Sequence, residues 1–245
     1  MKALILAGGK GTRFMEETDT KPKPMIEVNG TPIIFHIIDH YSTHGISEIY
    51  ILAGYKKEYF INYFRNNKYK EKDGGFCFNT KTNVFVLDTG LDTATGGRIK
   101  LAKEYIDETF LLTYGDGLSN VNISKLIDFH KKNNLLATVT AVRPPARFGS
   151  LTIKENLVID FGEKIQSKEG WINGGYFVLQ KEVLDFIDGP DMPFEDSPLE
   201  TLSRIEQLSA YEHTGFWYPI DTLREKVVLE KEIRNNNGKL PWKYD

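Results

Sequence analysis

The 245-residue chain carries a single cysteine, no long apolar run and no surplus of basic charge. Each absence removes a class of protein. A lone Cys77 rules out an intramolecular disulfide and any cysteine cage for a metal. A membrane span needs roughly 20 consecutive apolar residues, and no segment approaches that length. The first apolar run, Ala3 to Ala7, stops at Gly8-Gly9; it is too short for the core of a secretion signal and reads as a first strand. With 31 Lys and Arg against 34 Asp and Glu, the net charge is -3, so no general basic field favours nucleic acid. No period of about 20 to 50 residues and no low-complexity tract occurs, which sets aside solenoids, coiled coils and disordered chains. What remains is a cytoplasmic protein of enzyme size, expected to contact neither membrane nor nucleic acid, with 40% hydrophobic residues to build a core.

Those residues alternate between strand and helix patterns. Strands are predicted at 3–7, 49–53, 84–87, 109–114 and 137–142, with helices at 31–45, 57–64, 99–105 and 123–132. Thr31 is the expected N-cap of the first helix, Pro32 its first residue and Gly45 its stop. This βαβ alternation predicts a parallel, doubly wound sheet. The polar stretch 66–83 reads as a surface excursion. After Pro144-Pro145, short strands at 149–153, 157–161 and 176–179 predict a small antiparallel insertion. Ser197-Pro198-Leu199-Glu200 reads as a capping box opening a helix to about Gln207, and a last helix covers 223–234.

In open parallel sheets a ligand sits at the carboxyl ends of the strands. The loops at 8–13, 88–98 and 115–117 are therefore where chemistry is expected. Gly8-Gly9-Lys10-Gly11-Thr12-Arg13 follows the first strand, and its glycines let backbone N–H groups close around an anion. It is no Walker loop, because Lys10 precedes the last glycine, and no dinucleotide fingerprint, because Phe14 stands at the third glycine position. Taken alone, a plain tight turn is an equal reading. Ten residues beyond Arg13, Lys23 stands between Pro22 and Pro24, which fix the backbone and orient one cation. Arg13 and Lys23 on neighbouring loops would clamp a polyphosphate, although a solvated Lys/Pro turn gives the same pattern.

Asp116 lies between Gly115 and Gly117 at a strand end, well placed to hold Mg²⁺, which needs few protein ligands when phosphates complete its shell. Asp221, just before the last helix, is the candidate partner; turn aspartates and N-caps are the plainer reading of each alone. The helix start at Thr95-Gly96-Gly97-Arg98 is expected to offer exposed backbone donors to a base or phosphate. Glu163 can accept from sugar hydroxyls and Lys164 can meet a second phosphate, while Gly174-Gly175, after Trp171 and Asn173, leaves room for a ring. His36, His40 and His44 share one helix face at the spacing of a zinc pair. No third ligand accompanies them at suitable spacing, so a partly buried face or a subunit contact is the better reading.

Together these motifs resemble the sugar-1-phosphate nucleotidylyltransferases. The likeness rests on Gly8-Gly9-x-Gly11-Thr12-Arg13 followed by Pro22-Lys23-Pro24-Met25. Asp88-Thr89-Gly90 through Gly96-Gly97-Arg98, Tyr114-Gly115-Asp116-Gly117, Pro144-Pro145-x-Arg147-Phe148-Gly149, Trp171 to Gly175 and Gly215-Phe216-Trp217 resemble the branch that uses CTP and glucose 1-phosphate. Two departures are Ile165, where the family has proline after Glu163-Lys164, and a shortened segment at 68–82.

The resemblance implies a Rossmann-like α/β fold: a mixed, mainly parallel sheet with helices on both faces. It implies one domain over 1–245, with a nucleotide-binding half at about 1–143 and an acceptor-binding half at about 144–245. The activity implied is CTP plus α-D-glucose 1-phosphate giving CDP-glucose and pyrophosphate, with Mg²⁺, in a cytoplasmic homo-oligomer that serves surface polysaccharide synthesis. Leu6, Ala7, Gly8, Gly9, Gly11, Thr12, Arg13, Lys23, Thr95, Gly96, Gly97 and Arg98 would bind the nucleotide. Tyr114, Glu163, Lys164, Trp171, Asn173, Gly174 and Gly175 would bind the acceptor, and Asp116 with Asp221 the metal. Arg13, Lys23 and Asp116 would carry the catalysis. The competing readings are a different sugar, polyol or other phosphate acceptor, a UTP- or dTTP-dependent enzyme, and a silent nucleotide-sugar sensor.

Overall fold

The computed structural model describes residues 1–11, 14, 18–144, 150–154, 156–162 and 170–243. The first eight strands are β1 (Lys2–Ala7), β2 (Glu27–Val28), β3 (Thr31–Pro32), β4 (Glu48–Ala53), β5 (Glu71–Lys72), β6 (Gly75–Cys77), β7 (Asn83–Asp88) and β8 (Thr109–Tyr114). They are followed by β9 (Gly117–Ser119), β10 (Ala137–Val142), β11 (Ser150–Lys154), β12 (Leu157–Gly162), β13 (Ile172–Gln180), β14 (Leu208–His213) and β15 (Trp217–Pro219). The helices are α1 (Ile33–Thr43), α2 (Lys57–Asn66), α3 (Thr95–Leu101), α4 (Ile123–Asn133), α5 (Ser197–Arg204) and α6 (Leu223–Asn235).

Nine strands form one sheet in the order β14-β10-β13-β8-β1-β4-β7-β6-β5. Strands β8, β1, β4 and β7 run parallel, as do β10 and β14, whereas β13 runs against both its neighbours. Alternate residues of β1 feed opposite faces: Ala3, Ile5 and Ala7 enter one core, Leu4 and Leu6 the other. Burial on both sides is why this strand reads as an unbroken apolar run. Helices α1, α2, α4 and α6 cover the first core through pairs such as Phe60 with Phe64 and Leu229 with Ile233, one helical turn apart. Ile99 of α3 and Leu202 of α5 cover the second. The mixed, mainly parallel sheet with helices on both faces is therefore the architecture present.

Several local expectations change. The strand expected at 176–179 within an insertion is the centre of β13, a main-sheet strand between β8 and β10. Tyr176 and Val178 point into one core and Phe177 and Leu179 into the other, so it is a central strand that Asn173-Gly174-Gly175 disguises by interrupting its apolar pattern. Of the strands expected in that insertion, only β11 and β12 form a separate antiparallel pair; among the described residues β2–β3 and β9–β15 form two further two-stranded sheets. Within 66–83 the chain is not merely loop. Strands β6 and β5 extend the sheet edge, and Phe76 stacks on Phe64 at 4.7 Å.

Helix starts shift as well. Thr31 pairs with Val28 as a strand residue, and α1 begins at Ile33 without a side-chain cap. Helix α3 begins at Thr95, earlier than the apolar pattern indicates. The expected capping box at Ser197 is absent, α5 having no side-chain cap. A reciprocal cap stands instead at α6, where Thr222 Oγ1 accepts from the Glu225 amide and the Glu225 carboxylate accepts from the Asp221 amide at 2.8 Å. Among the described residues, no helix is long and apolar enough to cross a membrane.

The histidine face of α1 is turned inward. His36 Nε2 lies 3.1 Å from the Val28 carbonyl oxygen and His40 Nε2 lies 2.9 Å from that of Val121. Among the described residues, no group of three or more His, Cys, Asp or Glu is arranged to hold a metal. Burial, reinforced by His44, depresses the His40 imidazole from 6.5 to about 4, and burial lowers His36 as well. An unfolded chain therefore takes up protons below pH 6.5 that the folded one refuses until about pH 4. Neutral His40 stabilises the fold above that window, and the contribution disappears as pH falls through it. Melting temperature measured from pH 7 to pH 4 should fall, and His40→Gln should make the fall shallower. An identical slope in the variant would remove His40 as its cause.

Candidate active site

Three loops at the carboxyl ends of β1, β7 and β8 meet over the sheet. Gly8 and Gly9 follow β1, and the Tyr55 amide donates to the Gly8 carbonyl at 3.1 Å. Gly115 follows β8 and donates to the Leu6 carbonyl at 3.0 Å. A Cβ on Gly115 would lie 2.9 Å from both that oxygen and Pro24, so only glycine lets the β8 loop approach the lysine turn this closely. Leu6, Ala7, Gly8, Gly9, Gly11 and Lys23 line a cleft of about 380 Å³. Thr95, Arg98, Tyr114 and Asp116 line the same cleft. Ten of the expected site residues thus share one cavity.

At one end of the cleft, three charged groups converge. Pro22, Lys23, Pro24 and Met25 form a tight 3-10 turn, closed by the Met25 amide on the Pro22 carbonyl at 2.8 Å. From it the Lys23 side chain, only 11% exposed, donates to Asp116 Oδ2 at 2.6 Å and to Asp221 Oδ1 at 2.5 Å. Asp221 reaches Asp116 because β15 pairs with β9, Pro219 opposite Gly117, and the Ile220 amide donates to the Asp116 carbonyl at 2.9 Å. Burial alone would depress the Lys23 ammonium. The charge and hydrogen bond of Asp116, then those of Asp221, outweigh it and hold the pKa above the ordinary 10.5. Two carboxylates whose oxygens reach one point form a hard-oxygen donor set that suits a small divalent cation, completed by phosphate oxygens and water.

Arg98 lies behind the glycine loop as a brace. Its guanidinium donates to the carbonyls of Gly8 (3.1 Å), Gly90 (2.7 Å) and Leu91 (3.2 Å) and to Thr89 Oγ1 (2.7 Å). It therefore ties the β1 loop to the β7 loop. The backbone donors expected to be exposed at the start of α3 are engaged: Ala94 donates to Pro190 at 2.8 Å and Gly96 to Met192 at 3.0 Å. A Cβ on Gly97 would lie 2.3 Å from the Pro190 oxygen, and one on Gly96 2.6 Å from that of Met192. The double glycine thus admits the 190–194 segment.

At the start of β13, Asn173 Oδ1 accepts from the Gly175 amide at 2.8 Å, and its Nδ2 lies 3.4 Å from the Tyr114 hydroxyl. Gly174 makes room for Val142 and for the Thr140 carbonyl. At Gly175, with φ of +78°, a Cβ would lie 2.5 Å from the Tyr114 ring, so the ring these glycines accommodate is Tyr114 itself. Trp171 is partly exposed, with the Arg143 guanidinium 4.6 Å from its ring centre. Thr12, Arg13, Glu163 and Lys164 lie outside the described residues, as does Ile165.

The sequence pattern missed Glu195. Its two carboxylate oxygens accept from Thr95 Oγ1 at 2.5 Å and from the Tyr114 hydroxyl at 2.6 Å, while the Phe194 amide donates to Thr95 Oγ1 at 2.8 Å. Burial and the Glu195 charge raise the Tyr114 pKa, so the phenol remains a donor. No local motif announces Glu195, whose partners stand 100 and 81 residues away. Trp217, within the Gly215-Phe216-Trp217 motif, donates its indole N–H to the Gly174 carbonyl at 2.7 Å. Thr222-x-x-Glu225, by contrast, is a readable capping signature that fixes the backbone of Asp221.

Residues 2–220 match a family described as nucleotidyl transferase. The chain is 47% identical to a glucose-1-phosphate cytidylyltransferase of Salmonella typhimurium and 43% identical to a probable glucose-1-phosphate cytidylyltransferase of Bacillus subtilis, with 99% of both chains covered in each case. Among solved structures it resembles HddC from Yersinia pseudotuberculosis complexed with GMP-PN, with a TM-score of 0.72 and 23% identity over 95% of this chain and 99% of that one. It also resembles a UDP-glucose pyrophosphorylase complexed with UDP-glucose, with a TM-score of 0.71 and 17% identity over 96% and 98%. These two likenesses concern the fold.

Arg98→Ala would remove the charged donor from the Gly8, Gly90 and Leu91 carbonyls and from the Thr89 hydroxyl, while Gly8 keeps the Tyr55 amide and Thr89 its bond to the Ala53 carbonyl. A hydrogen bond to a charged group contributes about 1.5–3 kcal/mol, so unfolding in denaturant should show a loss of about 2 kcal/mol or more; a loss below about 0.5 kcal/mol would deny the bracing role.

Proposed function

Because the chain belongs to the nucleotidyl transferase family, we propose that it transfers CMP from CTP to α-D-glucose 1-phosphate, giving CDP-glucose and pyrophosphate. The observation that carries the transfer chemistry is the convergence of Lys23, Asp116 and Asp221 beside a glycine loop in one cleft. The choice of CTP and glucose 1-phosphate is supported by full-length likeness to enzymes named for that reaction.

The acceptor phosphate oxygen already carries negative charge, so its in-line attack on the α-phosphorus requires no protein nucleophile, and pyrophosphate leaves. The protein must instead hold two anions together against their repulsion, through positioning and charge neutralisation. In this reading the backbone of Leu6 to Gly11, with Thr12 and Arg13, holds the nucleotide, and Lys23 meets its phosphates. Thr95 faces the nucleotide side of the cleft, which Gly96, Gly97 and Arg98 shape from behind. Tyr114, held by Glu195 and Gly175, presents a fixed hydroxyl to the acceptor, with Asn173, Gly174, Trp171, Glu163 and Lys164 completing that side. Asp116 and Asp221 would hold the family's divalent metal, assigned as Mg²⁺, which supplies a Lewis acid and a template when bound. Residues at about 1–143 form the nucleotide half and those at about 144–245 the acceptor half. The enzyme is read as cytoplasmic and as a homo-oligomer, the exposed Leu157, Val158 and Ile159 on the β11–β12 hairpin supporting the subunit contact.

Pyrophosphate release measured for CTP, UTP, dTTP and GTP against a panel of phosphorylated sugars and polyols should be highest for CTP with glucose 1-phosphate. Equal rates with UTP or dTTP would overturn the nucleotide assignment, and a better acceptor would overturn the sugar. Turnover with none would favour a sensor. Asp116→Ala should lower metal-dependent turnover on the order of 10²–10³-fold, and an unchanged rate would remove Asp116 from the metal pair.

A further inference from the structure

The reading above gives Lys23 one task, the nucleotide phosphates, and Asp116 with Asp221 another, the metal. In the structure the three are not separate. The Lys23 ammonium lies 2.6 Å from one carboxylate and 2.5 Å from the other. A Mg²⁺ ion held by the same oxygens would be bound more closely than an ammonium. It would take the space Nζ fills, and two cations cannot share it. Metal entry therefore requires the ammonium to leave.

The physical case for an exchange has three parts. Two carboxylates brought this close, their side chains 33% and 21% exposed, repel one another, so a cation between them stabilises the site. Lysine suits a movable role, because its charge is compact and its four-carbon stem is flexible. Pro22 and Pro24 hold the turn, confining the movement to the side chain. Finally, the cleft beside it is where the nucleotide phosphates are read to lie, and an arriving polyphosphate offers the ammonium a new anionic partner.

We propose that Lys23 is the resident cation of the metal site in the nucleotide-free protein, displaced when metal and nucleotide arrive, so that the two ligands bind cooperatively. The proposal rests on the reading of Asp116 and Asp221 as the metal pair. It assigns Lys23 a second role: it keeps divalent metal out until a nucleotide is present. By linkage, whatever factor the nucleotide adds to metal affinity, the metal adds to nucleotide affinity.

The test measures Mn²⁺ binding directly, by the electron paramagnetic resonance signal of the free ion, in protein without nucleotide. Lys23→Met should bind Mn²⁺ at least about tenfold more tightly than the unsubstituted protein, because two uncompensated carboxylates then face the ion. Addition of the non-reacting α,β-methylene analogue of CTP should tighten Mn²⁺ binding by a larger factor in the unsubstituted protein than in Lys23→Met. Equal or weaker Mn²⁺ binding by nucleotide-free Lys23→Met overturns the exchange. Lys23→Met with Asp116→Asn separates the two claims. Loss of the tight binding supports both, whereas tight binding retained there places the ion elsewhere and overturns the metal pair and the exchange with it. If Lys23→Met does not fold, a crystal structure of the unsubstituted protein with Mn²⁺ and the analogue decides. Lys23 Nζ should have left both carboxylates, and a retained bridge overturns the proposal.

Discussion

The cleft depends on one ammonium held between two carboxylates. Lys23 joins Asp116, 93 residues away, and Asp221, 198 residues away, at a point that no single segment could build. Each partner arrives by a different device. Lys23 is set by prolines that stiffen its turn, and Asp116 by a strand end whose neighbouring glycine lets the backbone press against Pro24. Asp221 comes in on the β15–β9 ladder, with its own amide held by the carboxylate that caps α6. Two acidic groups at this spacing would drive these segments apart without a positive charge between them. The arrangement is therefore as much a constraint on the fold as a feature of the chemistry.

Around that point lies a second layer that binds no substrate in the proposed mechanism but determines the shape of the cleft. Arg98 joins the loops after β1 and β7 through four bonds, three of them to carbonyls. Glu195 joins the start of α3 to the end of β8 through two hydroxyls. Both stand on or against α3, whose two glycines exist to let the 190–194 segment dock. A helix start that looks built for a ligand is thus explained first by packing. What it presents to the cleft includes Thr95, which is itself held by Glu195.

How much of this is legible in the sequence follows from the same physics. Strands β1, β4 and β8 stand out because burial on both faces makes them near-continuous apolar runs. Strand β13 is just as central but begins with Asn173-Gly174-Gly175, glycines required by Val142 and the Tyr114 ring, so its pattern breaks where the site begins. Strand β14 lies at the sheet edge with intermediate and exposed residues throughout and offers no apolar signal. Lys23 and Asp116 are conspicuous because Pro and Gly distort the local sequence around them. Glu195 is not, and Arg98 is legible only as part of its motif and not as a brace, because what the two side chains do is defined by oxygens and hydroxyls supplied from distant loops. Backbone demands leave a mark in sequence; side-chain partnerships across 80 to 100 residues do not.

The overall charge of -3 then poses a problem that the triad answers. A protein without a basic surface must bring together a nucleoside triphosphate and a sugar phosphate, both anionic. At rest, Lys23, Asp116 and Asp221 carry one net negative charge at the end of the cleft, with the ammonium standing where a divalent cation would bind. Once a divalent cation replaces the ammonium between the carboxylates, the same three side chains and the ion carry one net positive charge, with Lys23 free to face the phosphates. The sign of the site inverts without any change in the protein's composition. A permanently basic cleft would bind polyphosphates of every kind with or without metal. A cleft whose positive charge is assembled together with its metal holds its anions only when the ion needed for their reaction is also there.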